Sequence, residues 1–296
     1  MKLRHHNRYD FSPISERPDF SWPDGKRLAV HVCLNIEHFI FGGLGHHPVA
    51  AGHFPDHRNY AWREYGVRLG IWRIFDLLDS LGLPAAHLIN TECYGRYPQI
   101  FDRIRRRGDE IVGHGRTNSE RQGELLEEDE ARLIAEVTEA IRSNEGAPPK
   151  GWMGPWISES LVTVDLLKEA GYTYCMDWPC DDQPVQLRTR SGNLLSIPYP
   201  IELNDAPSQL NRNDPPWWFS RMITDQFDEM LRLSEERPLV LGVSLHTFIM
   251  GQPFRLRYLR EALEYMVRHE KADQVWFTRP GEIADHVRSL PDGTVT

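Results

Sequence analysis

The sequence predicts a single, irregular (β/α) barrel of about seven to eight parallel strands. Three observations carry this. Short apolar runs alternate with amphipathic helical patterns along almost the whole chain. No Gly-rich phosphate loop follows the first run, which argues against an open dinucleotide-binding sheet. Glu37, Glu92, His114, Trp152, Asp177, Asn204 and His246 each stand just beyond such a run. In αβ-barrels the strand C-termini converge on one face, and that face holds the reactive side chains. The pattern therefore points to an enzyme.

The elements follow in order. Residues 1–26, with Pro13, Pro18 and Pro23, read as an extended arm that packs on the surface or on a neighbouring subunit. The barrel itself is placed at 27–290, and 291–296 is a tail. Strands are expected at 27–34, 85–89, 110–113, 149–153, 173–176, 194–199, 239–245 and 274–277. Between them, apolar residues at helical spacing predict helices over 64–81, 98–107, 127–143, 160–170, 219–234, 254–268 and 280–287. Gly82, Gly108 and Gly171 stop three of these as C-caps. Residues 39–60 are rich in Gly, His and Pro without periodicity, and read as a functional loop.

The bulk numbers exclude several classes. The chain has 296 residues, 40% of them hydrophobic, enough for one large core. A net charge of −9 argues against a nucleic-acid or anionic-membrane partner. No apolar run approaches the roughly 20 residues needed to span a bilayer. The N-terminus lacks the apolar segment of a secretory signal, so the expected location is cytoplasmic. Cys33, Cys93, Cys175 and Cys180 lack metal-finger spacing and read as free thiols.

Motifs at successive strand ends carry a family resemblance. Strand one ends in Asn35-Ile36-Glu37, and strand three is followed by His114-Gly-Arg-Thr-Asn118. Met153-Gly-Pro155-Trp156 follows strand four, and Leu245-His246 ends strand seven. This order resembles the polysaccharide deacetylase family, over roughly residues 20–290. There the matching positions hold an Asp-x-Asp pair, a His-x-x-x-His motif, an Arg-x-Pro segment and a Leu-His pair. Two departures matter: Asn35 replaces the usual general base, and Asn118 replaces a metal-binding histidine. The branch of metal-independent allantoinases and cyclic-imide hydrolases shares both departures, so the resemblance is to that branch.

Candidate roles follow. Glu37 can take a proton from water, and burial would raise its pKa toward the working range. His114 can bind a metal, shuttle a proton or stabilise an oxyanion. His246 corresponds to the family's general acid, which protonates the leaving nitrogen. Among Asp177, Asp181 and Asp182, one carboxylate is expected to orient a histidine, with Asp182 the candidate. Asn35, Asn118, Trp156, Trp178 and Asn204 are candidate substrate contacts, with Trp152 a further possible wall. Any metal would be a weakly bound Zn2+ on Glu37, His114 and Asn118, since this set falls short of three strong ligands. His46, His47, His53 and His57 are too irregularly spaced for a metal site.

The leading expectation is a hydrolase of a small cyclic amide, imide or ureide. The alternatives are a zinc-dependent deacetylase of N-acetylated sugars and a catalytically inactive ligand-binding barrel. The partner is a small-molecule substrate. A homo-oligomer is expected, with Trp217 and Trp218 serving as lid or interface anchor.

Overall fold

The computed structural model describes residues 5–41 and 56–296. The strands are β1 (Leu28–Ile36), β2 (Ala86–Ile89), β3 (Glu110–Gly113), β4 (Gly151–Trp152), β5 (Tyr174–Cys175), β6 (Val185–Thr189), β7 (Gly192–Ser196), β8 (Leu239–His246) and β9 (Val275–Thr278). They form one sheet in the order β6-β7-β5-β4-β3-β2-β1-β8, with β9 also on β1. All pairings are parallel except β6 with β7. Val240 N–H donates to the Asp182 carbonyl and Ser244 N–H to the Leu203 carbonyl. The segments flanking β6 and β7 thus lie along β8 and bridge the two ends of the sheet.

β1 is buried along its whole length, because layers cover both of its faces. Its side chains alternate between those layers. Leu28, Val30, Val32, Leu34 and Ile36 pack among the helices. Ala29 and Cys33 join an interior cluster with Val112, Met176 and Val240. The inward face of β1 continues through Asn35 to Glu37. The same period carries Val240 to His246 on β8, and Val112 to His114 beyond β3. Strand alternation alone therefore aims these three side chains at the same end of the interior.

The helices are α1 (His57–Tyr65), α2 (Ile71–Leu81), α3 (Glu92–Arg96), α4 (Pro98–Arg107), α5 (Glu127–Glu145), α6 (Thr163–Glu169), α7 (Pro216–Leu233), α8 (Thr247–Met250), α9 (Pro253–Arg268) and α10 (Pro280–Ser289). Gly82 and Gly108 end α2 and α4 at φ 63° and 68°, the left-handed caps expected of them. Between α1 and α2 runs a π-turn over Gly66–Gly70. There the backbone touches the α8 turn. A Cβ on Gly70 would come within 2.0 Å of the Thr247 carbonyl oxygen.

Several expectations change. The first helix begins at His57, not Glu64, so the loop after β1 is shorter than 39–60. Its residues 42–55, including His46, His47 and His53, lie outside the described residues. The segment expected as a strand over 194–199 is one arm of an antiparallel hairpin with β6. Its strand ends at Ser196, shortly before Pro198, which has no N–H to give. The arm packs on its own chain. Arg17 makes a bidentate pair with Asp181 at 2.8 and 2.6 Å. Trp22 is 1% exposed and donates to the carbonyl of Leu239, the first residue of β8. With Phe20, Ile283, Ala284 and Val287 it closes the interior at the N-terminal end of the strands. No helix among the described residues is long and apolar enough to cross a membrane.

Candidate active site

A cavity of about 320 Å³ opens at the C-terminal end of the strands. Glu37 lines it. The Asn118 amide donates to Glu37 Oε1 at 2.5 Å. His246 Nε2 lies 3.5 Å from the same oxygen and His114 Nε2 3.8 Å. Asn90 ties the loops beneath them, accepting from His38 N–H at 2.9 Å and donating to the His114 carbonyl.

Each histidine is oriented from behind. His246 Nδ1 lies 2.7 Å from Asp205 Oδ1, and the His246 backbone N–H donates to Asp205 Oδ2 at 2.7 Å. His114 Nδ1 lies 2.6 Å from the Met153 carbonyl oxygen. A carbonyl only accepts, so His114 Nδ1 carries a proton, and in the neutral ring Nε2 presents a lone pair to Glu37. In that state His114 accepts a proton or binds a cation, and cannot donate to an oxyanion.

The electrostatics follow from this packing. Burial lowers the pKa of His246, but the Asp205 and Glu37 carboxylates more than reverse it, and the imidazole is pushed up to about 10. Burial raises Glu37, but the His246 charge beside it more than reverses this and holds its carboxyl well below the usual range. This corrects the expectation that burial would raise it toward neutrality. Near neutral pH the site holds a carboxylate beside an imidazolium.

Other expected contacts divide. Asn35, Asn118, Trp156 and Asn204 line the cavity. Asn35 turns its amide inward, donating to Tyr199 Oη, Ser244 Oγ and the Leu245 carbonyl, each at 3.2 Å. Trp156 and Ile157 form a wall at φ 67° and 55°, a left-handed stretch costly for bulky residues. It is held by Trp156 Nε1, which donates to the Asn118 carbonyl at 2.8 Å.

Asp182 and Trp178 lie outside the cavity. Asp182 borders a separate cleft beside Pro200 and Gly242, and Asp205 takes the histidine-orienting position expected of it. Trp178 packs against His6 and Tyr9 of the arm and donates to Glu159. Trp152 is fully buried among the helices, and Asp177 accepts from Gly154 N–H at 2.7 Å. Trp217 and Trp218 stand exposed on the first turn of α7 and do not line the cavity. Sequence reasoning missed Asp205, Arg63 and Tyr199. Asp205 had one signal: it directly follows Asn204, a candidate substrate contact.

Residues 64–175 match the family described as polysaccharide deacetylase. A protein of Schizosaccharomyces pombe named as a polysaccharide deacetylase is 25% identical over 92% of this chain and 92% of its own. Residues 64–175 thus resemble a polysaccharide deacetylase domain. A crystal structure of Puue allantoinase superposes with TM-score 0.83 at 27% identity, covering 93% of this chain and 95% of that one. A polysaccharide deacetylase structure from Pseudomonas aeruginosa PAO1 superposes with TM-score 0.81 at 25% identity, over 91% and 94%. The chain is accordingly a hydrolase of carbon–nitrogen bonds.

The deacetylase resemblance implies a metal on Glu37, His114 and Asn118. His114 Nε2 and Asn118 Oδ1 are buried without a hydrogen-bond partner, so both are free to face a cation. The set nevertheless offers one imidazole, one carboxylate and one amide oxygen. Catalytic zinc typically has three strong protein ligands, and this set does not fit it.

Proposed function

We propose that this domain opens a small cyclic amide, imide or ureide by hydrolysis. One observation carries the reading: a carboxylate, a free imidazole lone pair and a carboxylate-backed imidazolium meet in one small cavity. A volume of about 320 Å³ is at the lower end for small-molecule pockets, and suits one ring with a short arm rather than a run of sugars. Met153, Trp156, Ile157, Leu210 and Phe248 give it an apolar wall against which a flat ring can lie.

In this reading a water donates hydrogen bonds to Glu37 and to His114 Nε2, which leaves its lone pair for the ring carbonyl carbon. As the C–O bond forms, Glu37 takes the water proton. As the C–N bond breaks, His246 Nε2–H protonates the departing nitrogen, since an amide anion is a very poor leaving group. Asp205 keeps the resulting imidazole in the correct tautomer. The products are a carboxylic acid and the freed amine or amide, joined by the remaining chain. Asn204, at the cavity wall, is placed to pair with ring polar groups.

Parallel turnover of hydantoin, succinimide, allantoin and N-acetylglucosamine oligomers tests this. Ring opening of at least one cyclic compound is expected, without deacetylation of the oligomers. Hydrolysis of the oligomers alone would overturn the reading.

A further inference from the structure

We propose that Arg63 is a carboxylate-reading group, and that the preferred ring carries an acidic side arm. The proposal rests on the ring-hydrolase reading and narrows its substrate class. Arg63 lies on α1, is 7% exposed, and its side chain lines the active-site cavity. Its guanidinium carbon sits 3.6 Å from the Phe39 ring centroid and 5.2 Å from that of Phe248. Both rings lie against the guanidinium. Nε is spent on Asn59 Oδ1 at 3.2 Å.

What Arg63 lacks is an anion. Among the described residues no carboxylate lies within 4.0 Å of it; Glu37 and Asp56 act on it only through space. Residues 42–55 contain no Asp or Glu, so that segment holds no carboxylate to offer. Other well-covered arginines have theirs. Arg8 pairs with Asp165 at 2.7 Å, Arg17 with Asp181 at 2.6 Å and Arg107 with Asp109 at 2.6 Å. A guanidinium cannot discharge itself at neutral pH, and a buried charge without a counter-ion is costly. The two ring faces offset part of that cost, and among the described residues no side-chain hydrogen bond beyond that of Nε is made by the guanidinium. Its remaining N–H groups match a planar carboxylate, which accepts two parallel bonds and supplies the missing charge. A neutral carbonyl supplies neither the second oxygen nor the charge. Glu37 is not that partner, being held by Asn118 and His246.

The test uses two nearly isosteric probes, hydantoin-5-acetate and hydantoin-5-acetamide, with binding read by calorimetry and turnover read separately. The full chain should bind the acid about 10–100-fold more tightly than the amide, the worth of a charge-assisted pair. Arg63→Met should erase the preference, and Arg63→Lys, which keeps the charge without the fork, should retain only part of it. Should Arg63→Met fail to fold, a reduced preference in Arg63→Lys carries the test. Equal binding of the two probes, no binding of either, or a preference that survives in the folded variants overturns the proposal. An Arg63-dependent preference without ring opening sinks the hydrolase reading for this ring and leaves the subsite standing.

Discussion

His246 is the residue whose chemistry depends most on its neighbours. Two carboxylates hold its proton, with Asp205 behind and Glu37 in front. As a general acid it works only while charged, and that charge is lost as pH rises through about 10. Glu37 works as a base only while ionised, and its carboxyl is held well below the usual range. The pH–rate profile should therefore be flat through neutrality and fall on the alkaline side near 10. Asp205→Asn removes the carboxylate that raises His246. Its pKa then falls, and the alkaline limb should move to lower pH, with kcat reduced about 10²–10⁴-fold, the usual worth of one acid–base group. Profiles of kcat/KM for both proteins decide this; a limb that stays in place removes His246 from the acid role.

At the scale of elements, the π-turn between α1 and α2 holds the α8 turn in place. Gly66 and Gly70 let it lie directly on Thr247 and Phe248, next in sequence to His246. A Cβ on Gly251 would in turn fall 2.2 Å from Gly70 Cα, so two backbones are in contact here. Neither backbone can yield without moving the end of β8. Gly70→Ala should thus destabilise the protein by about 1–3 kcal/mol, the usual cost of overpacking. It should also lower kcat, because His246 and Phe248 shift together. Chemical denaturation and steady-state rates at a temperature where the variant is folded separate the two effects. Wild-type stability and rate would show that the contact is slack.

For the whole molecule, the two ends of the strands divide the work. The C-terminal end carries the cavity, and the N-terminal end is closed by the arm and α10. Trp22 is the main plug. Trp22→Ala removes a fully buried ring and its bond to the Leu239 carbonyl. It should cost about 3–5 kcal/mol of stability. At a temperature where the variant is folded, kcat/KM should be unchanged, because the site lies at the other end of the strands. A lower urea midpoint with normal activity is the expected pair of results. A drop in kcat/KM without loss of stability would show that the arm acts on the site.

Much of this architecture is written locally. The largely apolar run of β1, interrupted by His31 and Asn35, identifies a strand covered on both faces, and Gly82 and Gly108 mark helix ends through a backbone conformation that glycine tolerates best. Strand alternation sends Glu37, His114 and His246 toward one end of the interior, which is why their place beyond apolar runs was legible. What the sequence could not decide is which distant loop lies beside each of them. Asp205 is 41 residues from His246, and nothing in the local pattern favours it over Asp182. The β6–β7 hairpin likewise carried too short an alternation to stand out. Arg63 reads in sequence as one more charge, just ahead of the helix expected over 64–81. Only the tertiary structure shows it buried beneath two rings and without a carboxylate, because burial and charge pairing depend on the assembled neighbours and not on the chain's own period.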